Sequence, residues 1–412
     1  MHPFTINGRS YSIDRALQEL PKMDLIEWLE SFPLYPKVFW KELGSNVTRA
    51  AVGNLLLFPE VPQITPALPF DVRFYGGIRF RENHLYDDTW KGFPNTCFWL
   101  PLIEVTQEET QTQAVSYSVT GPASTESFPN SFSSQNTSAT FLEKTHLPCK
   151  DNWQKNVEAA LHAIASGKLE KLVTARKTSL QFSGPLSPWP ILAHLRDKAK
   201  RATLFAFQLS PTLCFLGATP EKLFHREDNL FNADALAGTR PRGKTSKEDL
   251  QLEDELRSSL KEQNEFKIVK DYLDAALLPL SEKMRWEEID GVIKTSHVQH
   301  LHNRLSATLK STISDLDLIR ALHPTPALGG YPREKAMQLL KEMEPFDRGW
   351  YGAPVGVIGN QSSTLYVAIR SALIKEHTMH LFAGTGIVPG STADREWEEL
   401  EHKIRPLAEL FN

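Results

Sequence analysis

The sequence predicts an α+β sandwich. Short apolar runs of β character recur along the whole chain, and amphipathic helical stretches fall among them at irregular intervals. A doubly wound parallel sheet needs a regular alternation of strand and helix, and this order lacks one. At 412 residues the chain can bury a substantial core.

Residues 1–150 are helix-poor. The runs "NLLLF" (54–58), "VRFYGGIRF" (72–80) and "CFWLPLIEV" (97–105) read as strands. In "QAVSYSVTG", Val115, Tyr117 and Val119 alternate with polar residues, the period of a half-buried strand. The Ser-rich stretch "PASTESFPNSFSSQNTS" reads as a long exposed loop. From Asp151, "DNWQKNVEAALHAIASGKLE" is an amphipathic helix, with Asp151 its N-cap and Gly167 its stop. The strand "KLVTARKTSL" follows, then a Pro-broken connection and a helix near 189–200. "LFAFQLS" and "LCFLGAT" form a hairpin, and "NADALAG" a further strand. One long helix is expected from about Lys247 to Ala276. Strands near 354–359, 364–374 and 378–383 precede the last helix, where Ser391 and Asp394 resemble a capping box.

A net charge of −4 argues against nucleic acid or an anionic membrane as partner and favours a small molecule. Cys97, Cys149 and Cys214 are far apart and show neither CxxC nor zinc spacing, so a reducing cytoplasm is expected. The start lacks the pattern of a signal peptide, and no run approaches the roughly 20 apolar residues of a membrane span. A soluble, cytoplasmic protein is the expectation, and a monomer, since no exposed self-pairing stripe stands out.

Several charges sit where a bland surface would not put them. Glu265 shares the apolar stripe of Ile268, Val269, Tyr272 and Leu273, with Glu262 one turn earlier. Two readings are open: the carboxylate reaches water at the stripe's edge, or it faces inward to a cation. In the last helix Trp397, Leu400 and Ile404 form the packing face, while Glu396, Glu399 and Lys403 share an adjacent one. Glu399 and Lys403 can form a solvated i, i+4 pair. Alternatively, two acidic helices can share magnesium, a hard cation that prefers oxygen ligands. Lys171 lies on one strand face with Val173 and Ala175, opposite Leu172, Thr174 and Arg176. A lysine there is either exposed at the strand start or partly desolvated and so a usable base. Glu221, after a strand and a Pro turn, either starts a helix or projects into a cleft.

Nine segments then occur in family order over the last 260 or so residues: "KLVTAR", "FLGATPEKLF", "ALAGTRPRG", "KEQNEFKIV", "LHPTPALGGYPREKA", "EPFDRGWYGAPVG", "VAIRSAL", "FAGTGIVPGS" and "EWEELEHKI". Together they make residues 151–412 resemble the chorismate-utilising enzymes. The resemblance implies two stacked antiparallel-rich sheets flanked by helices, with a cleft for chorismate and magnesium. Residues 1–150 would be a divergent part of the same sandwich, in one large domain. By the resemblance, Glu265 and Glu399 hold magnesium, supported by Glu262 and Glu396. Lys403 and a Gly238–Thr239 turn approach the ring carboxylate. Arg370, Tyr351 and the Gly384 backbone take the enolpyruvyl carboxylate, and His300 lines the site.

Lys171 stands where water-using members carry a lysine, which implies water attack at C2 with Lys171 as base. The C4 hydroxyl then departs with a proton from Glu221. Ala327 and Leu328 look like those of isochorismate synthases. The nearest alternative is a salicylate synthase, which would go on to release pyruvate. An ammonia-using synthase would need a glutamine amidotransferase partner, and Lys171 argues against it. A non-catalytic binding relative would have no need of the acid–base pair.

Overall fold

A computed structural model describes residues 1–65, 68–81, 88–121, 139–199, 201–287, 291–294 and 298–411. The loop expected over 122–138 lies outside them. Two antiparallel sheets of fourteen and ten strands make up the described chain, with eight α-helices. In the first sheet, Lys171–Phe182 lies between Phe141–Leu147 and Thr378–Ile387, followed by Ser371–Lys375 and the hairpin of Leu213–Thr219 with Thr203–Ser210. Strands from the first 120 residues complete that sheet. The second runs from Ser281–Glu287 through Val298–Leu309, Leu230–Pro241, Lys222–Glu227, Ser362–Val367 and Pro354–Gly359 to Arg73–Ile78 and Thr96–Leu100, ending at Leu56–Phe58.

An aromatic layer cements the facing sheets. Trp40 of the first meets Tyr366 of the second at 5.8 Å, and Trp99 of the second meets Phe207 of the first at 5.9 Å. All four are fully buried. Such rings each remove large apolar areas from water, and together they give the sandwich its central core. On the outer face of the first sheet lie the helices Lys150–Ala165, Pro188–Lys198 and Ala393–Ala408. Leu260–Leu277 and Asp315–Leu322 cover the second.

Several local expectations are corrected. The strand expected over 97–105 is two strands in different sheets, Thr96–Leu100 and Ile103–Gln107. The run 364–374 likewise splits into Ser362–Val367 and Ser371–Lys375. Both halves of each run are apolar because both sheets are buried, so hydropathy does not record the crossing. The single helix over 247–276 is instead Ser246–Ser258 and Leu260–Leu277. Ser259 stays extended between them, and its hydroxyl accepts from the Glu262 amide, a cap that competes with helix continuation. Cys149, not Asp151, holds the N-cap position of the Lys150 helix, and Asp151 sits in the first turn. Gly167 does follow that helix's C-cap, at φ +71°. At the last helix the N-cap is Thr392 without a side-chain bond, and the Ser391 hydroxyl accepts from the Val388 amide.

The connection around Trp350 is as tight as the core. A Cβ on Gly349, at φ +55°, would stand 2.0 Å from the buried Trp90 indole. Gly349→Ala is therefore expected to cost about 2–4 kcal/mol through overpacking and left-handed strain. A fall in the urea unfolding midpoint of that size checks it.

Candidate active site

Neighbouring crossings from one sheet to the other carry two of the expected site residues. After Leu213–Thr219 the chain leaves the first sheet, and Glu221 lies immediately before Lys222–Glu227 of the second. After Ser362–Val367 it returns, and Arg370, at φ +52°, lies immediately before Ser371–Lys375. Hydrogen bonds stitch the crossings side by side. The Val367 amide donates to the Glu221 carbonyl (2.9 Å), the Ala218 amide to the Arg370 carbonyl (3.1 Å), and the Thr219 hydroxyl to the Val367 carbonyl (2.6 Å). Glu221 thus starts no helix; it sits at a seam between two strands.

Beside the seam is a cavity of 640 Å³. Lys171 and Val173 reach it from the first sheet, and Gly384, Thr385 and Gly386 from the neighbouring strand. Glu262 and Glu265 come from the Leu260–Leu277 helix, Glu396, Glu399 and Lys403 from the last helix, and Ala327 from the loop beyond Pro326. The two glycines of "GTG" have a physical reason. A Cβ on Gly386 would lie 2.7 Å from Lys171 Cε, and one on Gly384 would lie 3.0 Å from the Tyr351 hydroxyl. Their absence lets both side chains cross the strand.

Lys171, half-buried at the cavity, has its pKa lowered, chiefly by burial and further by the Lys403 charge, while Glu265, Glu221 and Glu399 oppose the shift. Burial raises Glu221 to about 7 against the pull of Lys171 and Lys403. Burial thus moves the amine down and the carboxyl up, the directions that a base and an acid need.

The four glutamates differ in their partners. Glu262 is buried and paired with Arg240 at 2.6 Å, and Glu396 accepts from the Thr385 hydroxyl. Glu399, half-exposed, is bonded to Lys403, whose amine also donates to the Gly384 carbonyl at 2.9 Å. Glu265 has no hydrogen bond or ion pair among the described residues and acts on Lys171 only through its charge. An all-carboxylate donor set fits a hard divalent cation. Among the described residues no three acidic, His or Cys groups form a ready cage.

The remaining expected residues lie around this cavity rather than in its lining. The Gly238–Thr239 turn is a bulge: the register shifts between Ala237 and Arg240 within one strand, with Gly238 at φ +68°. The Thr239 side chain lies outside the described residues. A Cβ on Gly238 would touch Glu262, so this glycine makes room for the carboxylate. His300 Nδ1 pairs with the Gly238 carbonyl at 3.0 Å, and Leu328 is buried with its carbonyl accepting from Arg348 at 2.8 Å. Tyr351 is buried and stacks on Phe382 at 5.3 Å, with its phenol pushed up to about 12 by burial. Arg370 is exposed and donates to the Lys403 carbonyl at 3.2 Å.

Sequence reasoning missed the supports beneath these groups. Arg348 Nη2 donates to the Val173 carbonyl at 2.7 Å, and its guanidinium grips Glu344, which accepts from the Ala175 amide at 3.0 Å and from Arg81 at 2.6 Å. On the opposite face, fully buried Arg176 lies 4.1 Å over the Trp397 ring and pairs with Glu401 at 2.5 Å, docking the last helix. The available signals were the i, i+4 spacing of Glu344 and Arg348 and a charge inside an apolar strand.

Known proteins share this fold. The model of the family "Chorismate binding enzyme" matches residues 63–412. The chain belongs to this family. It is 29% identical over 404 residues to isochorismate synthase MenF of Haemophilus influenzae, covering 95% of this chain and 90% of that one. It is 39% identical over 261 residues to MenF of Bacillus subtilis, covering 63% and 55%. With the chloroplastic isochorismate synthase of Catharanthus roseus it shares 31% over 360 residues, covering 82% and 62%. The chain thus spans only 55–62% of the length of these last two relatives. Among solved structures, the menaquinone-specific isochorismate synthase MenF of Escherichia coli superposes with a TM-score of 0.82 at 25% identity, covering 100% and 96%. Anthranilate synthase component I of Streptococcus pneumoniae shares the fold at 19% identity and a TM-score of 0.66. The sandwich expected from sequence is thus the fold shared with these structures.

Removing the carboxylate under this family member's cavity floor should be severe. Glu344→Ala leaves the buried Arg348 without this counter-ion, and an expected loss of about 3–5 kcal/mol follows. Chemical denaturation checks it.

Proposed function

We propose that this protein is an isochorismate synthase, an isomerase that converts chorismate to isochorismate by water attack at C2 and loss of the C4 hydroxyl. One observation carries this reading most: in a chorismate-binding chain, Lys171 enters a cavity walled by glutamates from two helices. In this reading Lys171, its pKa lowered by burial, takes the proton of the attacking water. The ring double bond shifts, and Glu221, held protonated, gives its proton to the departing hydroxyl. One water is consumed and one released, with no redox change.

Glu265 and Glu399 would hold magnesium, with Glu262 and Glu396 in support. When bound, the metal supplies positive charge against the ring carboxylate. Arg370, Tyr351 and the Gly384 amide would orient the enolpyruvyl carboxylate, since a planar guanidinium and fixed donors suit a carboxylate fork. Lys403 and the Gly238 bulge would flank the ring carboxylate, and His300 and Ala327–Leu328 would bound the pocket at one remove. Similarity to MenF over nearly the full length favours the menaquinone branch. We further propose a cytoplasmic monomer working without an amidotransferase.

Incubating purified protein with chorismate, with magnesium or with EDTA, and resolving the products tests this reading. Magnesium-dependent isochorismate without pyruvate is expected; salicylate plus pyruvate would make it a salicylate synthase. Lys171→Ala should lower kcat by about 10³-fold while chorismate still binds. Glu399→Gln should raise the magnesium concentration needed for half-maximal rate, and an unchanged magnesium titration contradicts the ligand role. The sign of the pH effect follows from Glu221. Its proton is present below about 7, so kcat/KM should fall as pH rises through that value. A profile flat from pH 6 to 8 removes Glu221 as the acid.

A further inference from the structure

We propose that Arg395, on the rim of the cavity, is a capture residue that draws the dianionic substrate in. This rests on the reading of the cavity as a dicarboxylate site. Arg395 lines the cavity, is exposed, and neighbours the exposed rim residues Pro389 and Gly390. Neither its spacing in the sequence nor the family motifs single it out.

Three cations line the cavity among the described residues: Lys171, Arg395 and Lys403. Lys403 is committed to Glu399 and to the Gly384 carbonyl. Lys171 is half-buried, and its lowered pKa suits it to a neutral role. Arg395 has no hydrogen bond or ion pair among the described residues. Its acidic neighbours on the helix are engaged elsewhere: Asp394 with Lys150 at 3.0 Å, Glu396 with Thr385, and Glu399 with Lys403.

Its position is also locally unfavourable. Arg395 is the third residue after the Thr392 cap, in the first turn, where the helix dipole favours acids and disfavours cations. A guanidinium there gains nothing from the fold; what it faces is a cavity with four carboxylates in its wall. An unpaired positive charge at the rim attracts a dianion at the encounter stage, and field focusing in a cleft enlarges its effect.

The test is the salt dependence of kcat/KM for chorismate with magnesium present. Arg395→Gln should lower kcat/KM about five- to tenfold at low ionic strength and leave kcat within about twofold. The deficit should close near 0.5 M salt, where screening falls to a few ångströms. Arg395→Lys should keep most of the wild-type value, and Arg395→Glu should fall below Gln. Arg405→Gln, on the same helix and paired with Glu409, removes the same charge away from the cavity and should behave as wild type. Equal low-salt kcat/KM in wild type and Arg395→Gln overturns the proposal, as does an equal loss in Arg405→Gln. If the wild type does not turn chorismate over, the functional reading fails instead. Calorimetric titration with chorismate then decides the Arg395 claim, and equal affinities in the two proteins overturn it.

Discussion

The buried pair of Arg348 and Glu344 is the constraint on which the site's geometry depends. Both side chains are almost wholly excluded from water, so each needs the other and every remaining donor needs an acceptor. Those acceptors are backbone groups that matter: the Val173 carbonyl, two residues from Lys171, and the Leu328 carbonyl, next to Ala327. Glu344 in turn holds the Ala175 amide. One ion pair therefore fixes the Lys171 strand against the loop that faces it. Arg176 and Glu401 do the same for the last helix from the other side of the strand. The strand Lys171–Phe182 is thus clamped on both faces, and the cavity opens at its start.

The second organising feature is the seam between the sheets. Glu221 and Arg370 occupy neighbouring crossings whose backbones bond to one another. A crossing needs no regular pleat, so its side chains are not bound to the two faces of either sheet. The price is local strain, seen in the left-handed Arg370. This is how two polar residues from segments about 150 positions apart come to lie on adjoining crossings.

Much of the fold was legible. The Lys171 strand places Leu172 in the helix-side core and Ala175 in the inter-sheet core, as its alternation required. Gly167 ends its helix as expected. Thr203–Ser210 and Leu213–Thr219 pair as the expected hairpin. Failures came where a local rule had a competitor. Ser259 offered its hydroxyl as a cap and broke a continuous helical pattern. The Ser391–Asp394 spacing matched a box, but the serine bonded backward to Val388. At Gly238 a turn was expected, and the strand absorbed the glycine as a bulge because its neighbours remained paired.

By itself, the sequence determined the family, the local elements, and which residues could carry acid–base and metal chemistry. Those follow from motif order, hydrophobic period and residue chemistry, all of which are local. Tertiary structure alone decided which sheet each apolar run joined, since the buried strands of both sheets leave the same hydropathic trace. It also decided the partners of the charges. Arg240 took Glu262, and Arg176 took Glu401 across 225 positions; the Lys403–Glu399 pair alone was open to the sequence, at i, i+4. Glu265 and Arg395 were left facing the cavity. Burial makes such pairings obligatory, but only the folded chain shows which charges are within reach of one another.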